Sequence, residues 1–104
     1  MPAYMIATYD IEDQDAHERY AQAADSILQR HGGRLLAADG EAKRLEGHGG
    51  HVGVVIGFPT QDQAIGFYND PDYAALKGMR IAATTNTNIV LAGPRPQTSE
   101  EGTP

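Results

Sequence analysis

With 104 residues, no cysteine and a formal net charge of −6, the chain has room for about one domain. It lacks a disulfide frame, a thiolate metal site, a cysteine nucleophile and the basic surface of a general phosphate-backbone binder. Leu, Ile, Val and Phe make up less than a fifth of the residues and alanine supplies much of the remaining apolar content, so the chain is either disordered or buries further surface against a partner.

Ala3 to Ile11 alternates, with Tyr4, Ile6, Tyr9 and Ile11 as its larger side chains, and reads as a first strand. No basic segment precedes it and no apolar run approaches the ~18 residues of a membrane span, so a cytoplasmic protein is expected, with neither a membrane nor a nucleic acid as partner. The acidic cluster Asp10, Glu12, Asp13, Asp15 suits the positive end of a helix. Asp15 and Glu18 have the spacing of a capping pair, and Asp13 is an equal candidate for the N-cap. Ala16, Tyr20, Ala23 and Ile27 then fall on one helical face, with Ala24 and Leu28 beside it. Gly32-Gly33 stops a helix expected over 15–31.

Arg34 to Ala38 reads as a second strand, with Lys43 to Gly47 as its continuation or a short extension beyond the Asp39-Gly40 turn. His51 to Phe58 reads as a third. Val52, Val54, Ile56 and Phe58 form its packing face, while His51, Gly53, Val55 and Gly57 face a side with room for another group. Thr60 to Gln63 is a capping box that opens a second helix, and Asp70-Pro71 restarts it. Tyr73, Leu76, Arg80 and Ala83 continue at helical spacing. Asn88 to Ala92 is the last strand, and residues 94–104 read as a mobile polar tail after a single domain over 1–93.

The order β-α-β-β-α-β is that of an α+β, ferredoxin-like sandwich with a four-stranded antiparallel sheet and helices on one face. Strands one and three carry apolar or small residues on both sides, so the second face needs a cover. A second copy of the chain supplies it as a dimeric α/β barrel, which also accounts for the thin aliphatic content.

Several blocks in this order carry a resemblance to a known family. They are the first strand ending near Asp10, the helix with Tyr20, Gly32-Gly33-Arg34, Leu45-Glu46-Gly47, Phe58-Pro59-Thr60 with Ala64, Phe67-Tyr68 leading to Pro71-Asp72-Tyr73, and Arg80. Together, over about Tyr4 to Gly93, the chain resembles the domain-of-unknown-function 1330 family of the dimeric α/β-barrel group. It departs at Phe67, Asp70 and Asp72, where that family usually carries tryptophan, serine and glutamate. The resemblance implies the fold, a homodimer and a small-molecule pocket. Barrels of this group include cofactor-free enzymes that move protons on a bound, easily ionised substrate.

The residues able to carry such chemistry are few. Glu46 and Arg80 offer an acid/base and an anion anchor, or else a structural ion pair between the second strand and the second helix. Asp10 closes the first strand, where a carboxylate serves a site or a helix start. His51 lies on the glycine-lined side of the third strand. Tyr68 and Tyr73 offer phenols to a ligand, or rings to the core. Arg34 stands at the start of the second strand. The candidates are therefore Glu46, Asp10 and His51 for catalysis and Arg80, Tyr68, Tyr73 and Arg34 for ligand binding. His48 and His51 bracket a Gly-Gly pair, but no third ligand has a supporting spacing, so no metal is assigned. Ser26 and Ser99 have no histidine at informative spacing and no phosphate-binding glycine motif occurs, so no cofactor is expected. The alternative to a cofactor-free oxygenase or isomerase is a non-catalytic interaction or accessory domain.

Overall fold

A computed structural model describes residues 1–95; residues 96–104, most of the expected tail, lie outside the described residues. Strand β1 (Ala3–Ile11) has the bounds its alternation predicts. Ala3, Met5 and Tyr9 are buried on one side, while Tyr4 and Ile6 are exposed on the other. Helix α1 (Gln14–Arg30) is capped by Asp13, whose carboxylate accepts the Ala16 N–H at 3.1 Å. Asp13 therefore takes the role that Asp15 was the other candidate for. Gly32, at φ +74, ends the helix in the left-handed conformation that glycine adopts most cheaply. The buried stripe of α1 is Ala24, Ile27 and Leu28. Ala23, expected to be inward, is exposed, because it lies about 100° around the helix from Ala24.

Strand β2 (Arg34–Asp39) carries a bulge at Leu36. Beyond it the chain does not extend as a strand. Residues 40–51 fold back irregularly, with the Ala42 N–H donating to the His51 carbonyl at 2.8 Å and the Arg44 guanidinium to the Gly50 carbonyl at 3.0 Å. Gly50 lies so close to β1 that a Cβ there would stand 1.9 Å from the Tyr9 carbonyl carbon. Strand β3 (Val52–Phe58) follows. Thr60 caps α2 (Gln61–Tyr68) by accepting the Gln63 N–H at 3.1 Å. Asp70 caps α3 (Pro71–Ala83), with Pro71 in its first turn. Strand β4 (Thr84–Ala92) begins four residues before the expected Asn88. The polar run T-T-N-T-N reads as loop by composition, yet threonine suits a strand, and Thr84 and Thr85 pair with Ile11 and Asp10 across a bulge.

The sheet has the order β2-β3-β1-β4, antiparallel throughout, with the three helices on one face: a ferredoxin-like α+β fold in which the second helix is broken at Asn69-Asp70. The core beneath the helices joins Met5 and Phe58 of the sheet to Ala24, Ile27, Leu28, Ala64, Phe67 and Tyr73. The Phe67 and Tyr73 rings lie 4.6 Å apart. Among the described residues, no helix is long and apolar enough to cross a membrane.

The opposite face of the sheet bears no helix. Its Thr8–Gly53 end is overlaid by residues 40–51, since Ala42 lies against Gly53 and Gly49 against Thr8. The rest presents Tyr4, Ile6, Leu36 and Val90, all exposed, with Val55 between them in the register.

Candidate functional site

Helix α3 packs along α1 and meets the sheet mainly where it runs into β4. Its Tyr73 and Arg80 are seven residues apart, two helical turns, and so share the inward face. Arg80 is 7% exposed and its Nε has no partner. Among the described residues no carboxylate forms an ion pair with it. The phenols of Tyr9 and Tyr20 lie close enough to feel its charge, and each has a further polar neighbour. The Tyr20 and Tyr73 hydroxyls are 2.6 Å apart, and the Tyr9 hydroxyl is 3.1 Å from His17 Nε2. The His17 ring bridges Tyr9 and Tyr20, at centroid distances of 5.4 and 5.8 Å.

The electrostatics follow from burial. Desolvation pushes the Tyr9 phenol above its ordinary value, and the Arg80 charge only partly offsets it. Tyr20 is pushed up by burial and then by the hydroxyl of Tyr73, again with Arg80 opposing. Burial lowers the His17 imidazole. At neutral pH, Tyr9 and Tyr20 keep their protons and His17 is neutral. Tyr9 and Tyr20, both protonated, thus lie within the field of a cation that lacks a counter-ion.

Beside this cluster, between α2 and the sheet, lies a cavity of about 380 Å³ lined by Met5, Ala64, Ile65, Tyr68, Asn69, Ile89 and Leu91. The Lys77 ammonium lies 3.7 Å from the centre of the Tyr68 ring, a cation–π contact.

The structure joins some of the expected residues and separates others. Tyr73 and Arg80 belong to the buried cluster, and Tyr68 lines the cavity. Glu46 does not pair with Arg80: it is exposed in the 40–51 segment, which lies on the far face of the sheet from α3. The expected ion pair is therefore replaced by an unpaired guanidinium. Asp10 and His51 do meet, also away from Arg80. The Asp10 carboxylate accepts from the His51 backbone N–H and Nδ1, each at 2.9 Å, and from Asn86 Nδ2 at 2.9 Å. The bonds from Asn86 and then His51 hold the carboxyl at about 2. This knot ties the ends of β1, the 40–51 segment and β4 together. Arg34 is exposed beside Tyr4, Leu36 and Gly57, in a depression of about 270 Å³ on the helix-free face. His48 is exposed, and among the described residues no group of three metal-ligating side chains converges.

Tyr9, His17 and Tyr20 are the members of the cluster that sequence reading did not select for the site. The available signal was that Tyr9 and His17 face inward at positions where an aliphatic residue is usual, with His17 and Tyr20 three apart on the same helical face. His31, at the end of α1, is half-buried and stands 2.7 Å from the Asp70 carboxylate, which Arg30 also contacts at 2.9 Å. These groups anchor the start of α3.

An open-faced ferredoxin-like sandwich with a buried, unpaired arginine is thus the class defined by the fold and its interior. A family model described as a domain of unknown function, DUF1330, matches residues 2–94, and the chain belongs to that family. Nothing among curated proteins matches it. A protein of unknown function from Rhodopseudomonas palustris is similar in structure, with a TM-score of 0.76 at 16% identity over 91% of this chain and 83% of the other. So is a protein from Bacteroides fragilis described as dimeric and ferredoxin-like, with a TM-score of 0.60 at 9% identity over 89% and 96%. SnoaB from Streptomyces nogalater, described as a cofactor-independent oxygenase, has a TM-score of 0.65 at 12% identity over 94% and 97%. At these identities the likeness is one of fold.

Proposed function

We propose that the chain is a homodimeric small-molecule protein of the cytoplasm, a dimeric α/β barrel, that binds an organic anion at Arg80 and carries out cofactor-free proton transfer of the oxygenase or isomerase type. The observation that carries this reading is the buried Arg80 guanidinium with no carboxylate partner. A desolvated charge without a counter-ion is costly, and a bound anion removes the cost. The same cation stabilises negative charge that develops when a substrate loses a proton to form an enolate or phenolate. His17, kept neutral by burial, is the base of the cluster, and the Tyr9 hydroxyl 3.1 Å away orients it or passes a proton to it. Tyr20 and Tyr73, paired through their hydroxyls, offer donors to the ligand. No step is assigned to Glu46, Asp10, His51 or Arg34, which lie outside the cluster.

Dimerisation is supported by the exposed Tyr4, Ile6, Leu36 and Val90 on the helix-free face and by the dimeric description of a structural neighbour. The oxygenase described among the neighbours supports the reaction class by fold analogy alone. The test is native mass spectrometry of gently purified protein, wild type against Arg80→Gln. Two chains with a small acidic adduct, lost in the variant, are expected. A monomer, or an adduct held equally by Arg80→Gln, would overturn the reading.

A further inference from the structure

Resting on that reading of Arg80, we infer that the ligand is an elongated apolar acid, its acid group at Arg80 and its chain or ring lying along β1 into the cavity under α2. The cavity is walled by Met5, Ile89 and Leu91 from the sheet and by Ala64 and Ile65 from α2, with polar atoms only on Tyr68 and Asn69 among its lining side chains. Its lining side chains offer a sugar or nucleotide few hydrogen-bond partners, whereas a hydrocarbon surface suits it. Its volume of about 380 Å³ holds on the order of a dozen non-hydrogen atoms at roughly 30 Å³ each.

The link between cavity and cation is written in the pleat of β1. Met5, Ala7 and Tyr9 project from the same side of that strand. Met5 lines the cavity, and Tyr9 lies close enough to Arg80 to feel its charge. Ala7, between them, is half-exposed although β1 is a central strand, because α3 leans on α1 and not on this stretch of the sheet. Its cross-strand partner Ile89 is itself a cavity wall. The smallest side chain of the row thus leaves this stretch of the sheet half-exposed between Met5 at the cavity and Tyr9. From Met5 to Tyr9 the strand spans about 13 Å, which sets the length of the ligand.

The probes are the straight-chain carboxylates from acetate to octanoate, with octanol as the uncharged match, titrated calorimetrically into the full-length protein. Affinity is expected to rise roughly three- to fourfold per methylene, and octanol to bind at least tenfold more weakly than octanoate. Arg80→Gln should abolish that preference for the acid. Ala7→Leu should block octanoate and spare acetate, and Ile89→Trp, at a partly exposed wall position, does the same should the first variant fold poorly. Octanoate binding no better than acetate, with both lost in Arg80→Gln, overturns the elongated ligand and leaves the anion site standing. Octanol binding as well as octanoate also overturns it. Carboxylates that fail to bind, or that bind Arg80→Gln like wild type, overturn the anion site and this inference with it.

Discussion

Replacing Arg80 with methionine should make the protein more stable while removing its affinity for anions. The guanidinium is 7% exposed, and its Nε donor has no partner. An unsatisfied buried donor costs about 1–3 kcal/mol. Methionine keeps an unbranched apolar stem of similar course and adapts to irregular space. The atoms it lacks leave a small void that returns about 1 kcal/mol of the gain. The net stabilisation is up to about 2 kcal/mol, which in a domain of this size raises Tm by up to roughly 10 °C. Arg80→Lys keeps a buried charge and should bring no such rise. The assay is thermal unfolding followed by circular dichroism at fixed protein concentration, because assembly shifts Tm by mass action. Urea titration checks that the m-value is unchanged. A ligand at about 100 times its Kd should add about 2.7 kcal/mol to wild type and nothing to Arg80→Met. A fall in Tm with an unchanged m-value would refute the reasoning, since it would make the guanidinium a structural tie and not a group held ready for a ligand.

Three other outcomes are expected. Gly50→Ala forces a methyl to 1.9 Å from the Tyr9 carbonyl carbon and 2.4 Å from the Asp10 nitrogen, and should cost about 2–3 kcal/mol in urea unfolding. Gly40→Ala, where a Cβ meets nothing within 4 Å, is the control and should stay within about 0.5 kcal/mol; equal effects would overturn the packing of residues 40–51 on β1. Asp10 is held at about 2 by Asn86 and His51, so its contribution to stability is complete above the unfolded value of about 3.9 and is lost as pH falls through 2. Wild-type Tm should therefore drop between about pH 4 and 2, and Asp10→Asn should flatten that drop in part, since Asp70, held low chiefly by His31 and Arg30, remains; parallel curves for the two proteins would contradict it. Ile6→Asp places a charge on the helix-free face and should halve the mass measured by light scattering at equal concentration. A mass unchanged from a wild-type dimer would locate the contact elsewhere.

Much of the fold was legible in the residues because its signals are local. The alternation of Ala3–Ile11 and of Val52–Phe58, the Thr60 and Asp70 caps and the Gly32 stop each act within a few positions of the backbone they shape. Once these elements stand in order, the right-handed crossovers leave few arrangements other than a ferredoxin-like sheet. That Tyr73 and Arg80 share one face of the last helix was legible from their spacing.

What they meet was not legible, because it depends on elements distant in sequence. Glu46 looked like the partner of Arg80 until residues 40–51 folded onto the opposite face of the sheet. Tyr9 and Tyr20 come from β1 and α1, and only the lean of α3 on α1 brings them within the field of Arg80. The run T-T-N-T-N became strand because Ile11 and Asp10 supply it with pairing partners, not because of its own composition. Periodicity determines which side of an element turns inward, since that side is set by backbone geometry within one or two turns. The groups it turns toward are set by how whole elements lean on one another, and that is why the unpaired cation emerges only in the folded chain.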